Sequence, residues 1–416
     1  MDEKRRATLE QFYRDYLLNN VVPFWLTHSL DRKYGGYLVH LDREGNLTGT
    51  DKYVWFQARE VWMFSALYNR VEPRREWLEA ARLGVNFLKK YGRATPDTWN
   101  YRLTQTGEVV EGPISWFSDG FAILGFAEYA RAAGDHEALD IALATFWSFL
   151  RRARDPNYDS YYPTASVKTA ARLVVPMFLL LVAHELLAVH SDPRLHVLLD
   201  DCLQRIMERH CCPGERVIYE TLSLDYEPMD TPEGRLLNPG HAIECMWFVM
   251  HEARRRNDRR LWERATDGVE WMMERGWDRE HGGVFAFVDV KGGRPRAGEW
   301  FRVAGIDWDT KVWWVHSEVL YATLLGYHLT GRPALLDWFT RAHEWTFAHF
   351  ADPDYPEWYT FLDRSGRPTN RAKGGEWKGA FHVPRALLFC WLTLREMQRG
   401  VSSVGGVGCA AGGGVV

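Results

Sequence analysis

Nowhere in these 416 residues is there an apolar stretch long enough to cross a membrane. The longest, Val174 to Ala183, has ten residues, about half of what a bilayer core demands. No basic block is present either. Fifty-one Lys and Arg against 55 Asp and Glu leave a formal net charge of −4, which argues against nucleic acid or an anionic membrane surface as the main partner. The six cysteines, Cys202, Cys211, Cys212, Cys245, Cys390 and Cys409, have no secreted-domain spacing, and two are adjacent, so a disulfide framework is not expected. The chain opens Met1-Asp-Glu-Lys-Arg-Arg and runs into a charged helix rather than an apolar signal segment. The expectation is a cytoplasmic protein with reduced thiols.

Recognisable ligand motifs are also missing. His184 and His190 stand six apart, not at the i, i+4 spacing of a helical zinc site. There is no C-x-x-C pair, no G-x-G-x-x-G and no phosphate-loop pattern, and Gly374-Gly-Glu-Trp-Lys-Gly379 is too unspecific to stand for one. Neither a metal nor a nucleotide cradle is expected. With 46% hydrophobic and 25% charged residues the chain is an ordinary globular one. Tryptophan is the exception: 20 Trp stand among 416 residues. Large flat rings fill cores, and they also stack on sugar C–H faces.

Helical periodicity dominates. About twelve amphipathic segments are readable, near 3–27, 52–70, 75–91, 115–133, 136–153, 170–190, 193–210, 239–256, 259–275, 310–330, 333–350 and 380–399. Their connections alternate. Tight linkers such as Ala133-Gly-Asp, Ser191-Asp-Pro and Thr330-Gly-Arg-Pro follow the even-numbered segments, with Gly or Pro stopping one helix and Asp or Pro starting the next. The other connections are long, about 17–35 residues, and rich in Gly, Tyr and Trp; loops of that length are usually functional. Consecutive helices are then antiparallel, and every long loop falls at one end. Six helical hairpins of this kind suit an all-α (α/α)6 barrel with short β-hairpins in the long loops, an open solenoid being the alternative.

The loops echo one another. Asp31-Arg-Lys-Tyr-Gly-Gly-Tyr37 matches Asp278-Arg-Glu-His-Gly-Gly-Val-Phe285, and Asp42-Arg-Glu-Gly-Asn46 resembles Asp363-Arg-Ser-Gly-Arg367, the patterns of short hairpins in a pseudo-symmetric ring. Residues 1–400 are expected to form one catalytic domain, and the Gly/Ala/Val-rich 401–416 a disordered tail.

Polar residues gather at the starts of the even helices, where the ring would turn them toward one cavity. Asn238 and Pro239 are an N-cap and an N1 residue, which puts His241 in the first turn of the eighth helix and Glu244 on the same face. Phe381-His382-Val-Pro-Arg385 opens the twelfth helix, Trp313-Trp-Val-His-Ser-Glu318 the tenth, and Trp55-Phe-Gln-Ala-Arg59-Glu60 lies early in the second. Two carboxylates, Glu244 and Glu318, also permit a glycoside hydrolase reading.

These blocks resemble the N-acylglucosamine 2-epimerase family. The likeness rests on Lys52-Tyr-Val-Trp-Phe-Gln-Ala-Arg59, Asn238-Pro-Gly-His-Ala-Ile-Glu244, Gly276-Trp-Asp-Arg-Glu-His-Gly-Gly283, Trp313-Trp-Val-His-Ser-Glu318 and Lys373-Gly-Gly-Glu-Trp-Lys-Gly-Ala-Phe-His-Val-Pro-Arg385. The resemblance implies an (α/α)6 barrel that epimerises N-acetylglucosamine and N-acetylmannosamine at C2. It implies His241 and His382 as the acid/base pair, with Arg59, Glu244 and Glu318 in support. Trp116, Trp314 and Trp377, with Tyr53, Gln57 and Lys378, are the expected substrate contacts. No cofactor is implied, although some members respond to ATP; a homodimer is expected, and one vertebrate member is described as binding renin. Related epimerases and isomerases of non-acetylated sugars carry Asn-x-His on the sixth helix, where this chain reads Val174-Val-Pro-Met177. That favours the N-acyl substrate over mannose, glucose or cellobiose.

Overall fold

The computed structural model describes residues 1–155, 170–296 and 305–400; the tail expected at 401–416 lies outside them. Among the described residues, twelve main helices follow one another as six pairs, the members of each pair joined by a long connection. The first is α1 (Glu3–Tyr16, continued by a π-helical turn, Leu17–Val21, into Val22–His28) with α2 (Val54–Arg70). Then come α3 (Arg75–Phe87, extended by Leu88–Gly92) with α4 (Trp116–Ala133), and α5 (His136–Ala153) with α6 (Val174–Leu187). The second half has α7 (Pro193–Arg205, extended by Ile206–His210) with α8 (Pro239–Arg256), α9 (Arg259–Gly276) with α10 (Trp313–Thr330), and α11 (Pro333–His349) with α12 (His382–Gln398). The punctuation expected from the sequence is present. Asp135, Asp192, Asn238 and Asp258 cap helix N-termini with their side chains, and Gly134 and Gly331 close C-termini in the left-handed conformation.

The even helices are buried nearly all round: every residue from Val54 to Leu67 of α2 is buried, as is every residue from Ala242 to Ala253 of α8. A helix enclosed on all sides needs no polar face. Each even helix packs on the next, α2 on α4, α4 on α6, α6 on α8, α8 on α10 and α10 on α12, and α12 returns to α2. The ring closes. The odd helices pack outside it, α1 against α12 and the rest against their neighbours. This is an (α/α)6 barrel, not an open solenoid. Helices expected from 52, 170 and 310 begin a little later, because Lys52–Tyr53, Ala171–Arg172 and Lys311–Val312 are strands paired with Arg102–Leu103, Thr221–Leu222 and Phe361–Leu362.

The loop repeat is a structural repeat. Asp31, Asp278 and Asp352 each accept main-chain N–H groups two or three residues on. Each also receives a fully buried lysine, Lys52 at 2.8 Å, Lys311 at 3.2 Å and Lys373 at 2.8 Å. The Gly35-Gly36 and Gly282-Gly283 pairs lie at φ between 69° and 85°, where a Cβ is strained. The third copy escapes a sequence comparison because Glu357, φ 67°, takes that role without glycine. These three latches pin the loop ends over α2, α10 and α12.

Candidate active site

One cavity of about 200 Å³ opens at the long-loop end. Its wall is divided. From α4 and α6 come only apolar groups, Phe117, Phe121, Val174, Met177, Phe178 and Leu181. The facing side, from α2, α8 and α12, carries Arg59, His241, Glu244, His382 and Arg385. Trp314 stands between the two histidines, its ring 5.3 Å from His241 and 5.8 Å from His382. Gly240 permits that approach, since a Cβ there would fall 2.6 Å from the Trp314 ring.

The histidines sit at helix starts, as expected: His241 donates its N–H to the Asn238 side chain at 3.1 Å, and His382 is the first residue of α12. Each ring gives Nδ1–H to a carboxylate, His382 to Glu318 at 2.7 Å and His241 to Glu220 at 3.1 Å. That leaves Nε2 as the working nitrogen of each. Their surroundings differ. Burial by itself depresses His241, but the Glu220 carboxylate, with Glu244 behind it, outweighs burial and holds the ring above its usual pKa. His382 is held well below its usual value by burial and by the guanidinium charges of Arg59 and Arg385. Glu318 does little to reverse this, because its charge is shared with Arg385 and Trp247 at 2.8 Å each. The surroundings thus favour the imidazolium form at His241 and the neutral imidazole at His382.

Two arginines complete the polar wall. Arg385 Nη2 donates to Glu244 at 2.6 Å and to Glu318 at 2.8 Å, clamping the two carboxylates together. Glu244, Glu318 and His382 bring ligand atoms within 4.8 Å of one another, a donor set open to a divalent metal in principle. The Arg385 guanidinium already bonds both carboxylates, so the site does not fit a metal. Arg59 has no ion pair among the described residues. It is ringed by Phe121, Trp55, Phe381 and Phe56 at 4.0–5.3 Å, and burial, then the Arg385 charge, pulls it down to about 9. A desolvated guanidinium with no ion pair among the described residues is poised for an anionic or partly charged oxygen of a ligand.

The structure brings Arg59, His241, Glu244, His382, Trp314 and Trp377 to the cavity, with Glu318 directly behind His382. Four expected contacts lie elsewhere. Trp116 is fully buried, stacked on Phe149 at 4.1 Å. Tyr53 packs edge-on against Tyr101 beneath the loop. Gln57 accepts from Tyr37 N at 2.7 Å and donates back to Tyr37 O at 2.8 Å. Lys378 bonds the Trp358 carbonyl and pairs with Glu357 at 3.1 Å. His316 likewise faces outward, accepting from Val284 N at 3.0 Å and stacked on Trp345. Gln57, His316 and Lys378 each stand five residues after a latch lysine and tie down the corresponding hairpin residue. They belong to the internal repeat, not to the cavity.

Sequence reasoning also missed two residues. Arg385 was quoted only as part of a motif, although a lone Arg one turn after a helix-start His is a usable signal. Glu220 lies in a loop with no periodicity to mark it; long-range contacts, such as the bond its carbonyl accepts from Leu173 N at 2.9 Å, place it beside α6 and α8.

A family model described as N-acylglucosamine 2-epimerase matches residues 36–386. The chain is 36% identical to the N-acylglucosamine 2-epimerase of Bos taurus over 408 residues, covering 95% of this chain and 93% of the relative. It is 34% identical to that of Homo sapiens over 399 residues, 93% of this chain and 91% of the relative. Among solved structures, the cellobiose 2-epimerase from Bacillus thermoamylovorans B4167 superposes with a TM-score of 0.79 at 20% identity, over 94% of this chain and all of that one; this likeness concerns the fold. The match spans every helix that contributes to the cavity, from the loop before α2 to the start of α12, and the chain belongs to the N-acylglucosamine 2-epimerase family.

Proposed function

We propose that this chain interconverts N-acetylglucosamine and N-acetylmannosamine, with His241 and His382 handling the C2 proton on opposite faces of the sugar. Inverting C2 requires removal of the proton α to the C1 aldehyde and its return from the other side. Two acid/base groups meet that requirement, and an imidazole can act as either near pH 7. The observation that carries the reading is geometric: two imidazoles reach one cavity from the starts of α8 and α12, with Trp314 beside both and a carboxylate behind each Nδ1. Their surroundings favour the neutral base at His382 and the protonated acid at His241. After one turnover the proton has crossed over, and the reverse reaction uses the pair in exchanged roles. Charge that gathers on O1 in the enediolate meets Arg59, whose guanidinium has no ion pair among the described residues. Acid/base groups suffice, so the chemistry calls for no cofactor.

The divided wall supports an N-acyl substrate. The acyl methyl is the one strongly apolar group of such a sugar, and the α4–α6 wall offers it Phe178, Met177 and Val174. A glycosidase arrangement finds less support, because Glu244 and Glu318 are clamped by one Arg385 nitrogen rather than set across a scissile bond. The unpaired state of all five described cysteines accords with the cytoplasm as the setting.

An NMR time course with N-acetylmannosamine, beside mannose and with and without ATP, tests the reading. Accumulation of N-acetylglucosamine from the first sugar and none of the mannose epimer is the expected result. Turnover of mannose alone would overturn it.

A further inference from the structure

Glu220 is 2% exposed, and its Oε1 lies 3.1 Å from Nδ1 of His241. Its other oxygen is buried with no hydrogen-bond partner among the described residues. Among the described residues no Lys or Arg pairs with it, and its ion-pair partner is His241. A buried carboxylate with one oxygen idle and no Lys or Arg paired with it among the described residues costs stability, so packing does not explain it. The backbone on either side is held firmly. The Glu220 carbonyl accepts from Leu173 N at 2.9 Å, and Thr221–Leu222 pairs with Ala171–Arg172. Just before it, the Tyr219 carbonyl receives Nδ1 of His210 at 2.8 Å, and Tyr219 N donates to His210 O at 2.9 Å. The carboxylate is thus delivered to His241 from a rigid two-strand ledge between α7 and α8.

We propose that Glu220 is the positioning residue of His241: it fixes the Nδ1–H tautomer, aims Nε2 at the sugar, and keeps the proton on that ring. This rests on the two-histidine reading above. The arrangement is the counterpart of Glu318 and His382, with one difference. Glu318 shares its charge with Arg385 and Trp247, whereas among the described residues the Glu220 carboxylate bonds His241 and no arginine or lysine. The two histidines are thereby made unequal by their carboxylates. Among the described residues, the other charged groups around this end of the cavity are Glu244 on the same helix, Glu318 on α10 behind His382, Arg59 on α2, and Arg385 and His382 on α12. His210, on the far side of Glu220, is pushed down to about 4 by burial and stays neutral.

The pair works with one proton between its rings, so both directions of the reaction share one bell-shaped pH profile whose alkaline limb marks loss of that proton. The test uses the full chain and three variants, Glu220→Gln, Glu220→Asp and His241→Asn, followed with N-acetylmannosamine. Glu220→Gln keeps the shape and removes the charge. Its kcat is expected to fall at least about tenfold with KM little changed, and its alkaline limb to move to lower pH. Glu220→Asp should recover part of both. Adding Glu220→Gln to His241→Asn should cost nothing more. NMR titration of His241 supplies a readout independent of turnover, with a lower pKa expected in Glu220→Gln. A Glu220→Gln enzyme that melts earlier but keeps its kcat and its alkaline limb would overturn the proposal, as would an unmoved His241 titration. If His241→Asn itself remains active, the two-histidine reading fails first; if it is inactive while Glu220→Gln changes neither kcat nor the limb, only the role of Glu220 falls.

Discussion

Nδ1 of His382 lies 2.7 Å from Oε1 of Glu318, and that same oxygen receives Nη2 of Arg385 at 2.8 Å. Glu318 therefore orients His382 without conferring much basicity on it, since a guanidinium already draws on the carboxylate. Arg385 also reaches Glu244, so one residue couples the α8, α10 and α12 sides of the cavity. The ring geometry of the barrel places these groups together; the charge balance among them decides which histidine is protonated.

His382→Asn retains a donor toward Glu318 and removes the ring nitrogen that faces the sugar. Turnover is expected to fall by about 10² or more with the melting temperature within a few degrees of the parent. In D2O the parent's product should carry solvent deuterium at C2 while unreacted substrate gains little, the mark of two separate bases. Retention of the substrate hydrogen in the product would point to one shuttling base instead.

Stability should fall on mild acidification. His316 and His210 are fully buried and held down to about 3 and about 4 by burial, whereas in an unfolded chain each titrates near 6.5. The unfolded state thus binds more protons than the folded one below about pH 6.5, and the slope of stability with pH is positive there. The contribution is complete above pH 6.5 and lost progressively toward pH 4 to 3. Melting curves at pH 7.5, 6 and 5 should show a steady decline, and a flat melting temperature across that range would refute the assignment.

Arg59 should behave as a residue kept for function at a cost to the fold. It carries a buried charge with no ion pair among the described residues, and four aromatic rings lie against its guanidinium. Arg59→Met fills the same channel with a flexible apolar chain that packs well on rings. The variant is expected to melt at or above the parent temperature while kcat drops about 10²-fold or more. A clear loss of stability with retained turnover would reverse that conclusion.

How far the sequence carries is seen by setting Gln57 beside Arg59. Both lie in the opening turns of α2 beside tryptophans, and both carry polar groups, so local pattern cannot separate them. Helix period and caps are local properties, which is why the barrel was readable; the direction a side chain takes across the ring is a tertiary one. The repeat held the missing information, because Gln57, His316 and Lys378 occupy one register relative to Lys52, Lys311 and Lys373. Glu220 had no register at all, lying just before the two-residue strand Thr221–Leu222, whose place is set by pairing with residues 171–172. Gln57→Ala accordingly should cost about 1–3 kcal/mol of stability by leaving Tyr37 main-chain groups unpaired, with kcat and KM nearly unchanged; thermal melts and a kinetic assay on one preparation check both halves.

The apolar wall yields the sharpest test of substrate class. Met177 is 6% exposed and reaches the cavity from the first turn of α6, between Val174 and Phe178. If the acyl group of the sugar lies there, shortening this side chain opens room for about one or two more carbons on the amide without touching the polar side. Met177→Ala is then expected to raise kcat/KM for N-propanoylmannosamine relative to N-acetylmannosamine by about tenfold, the usual worth of one methylene in an apolar pocket. The stability loss should stay below the 2–5 kcal/mol of an enclosed Met→Ala change, because one side of Met177 already faces open space. Mannose, which has no acyl group, should gain nothing. An unchanged ratio between the two amides would mean that the acyl chain points elsewhere, toward the Trp314 side, and that the α4–α6 wall serves only to keep water from the enediolate.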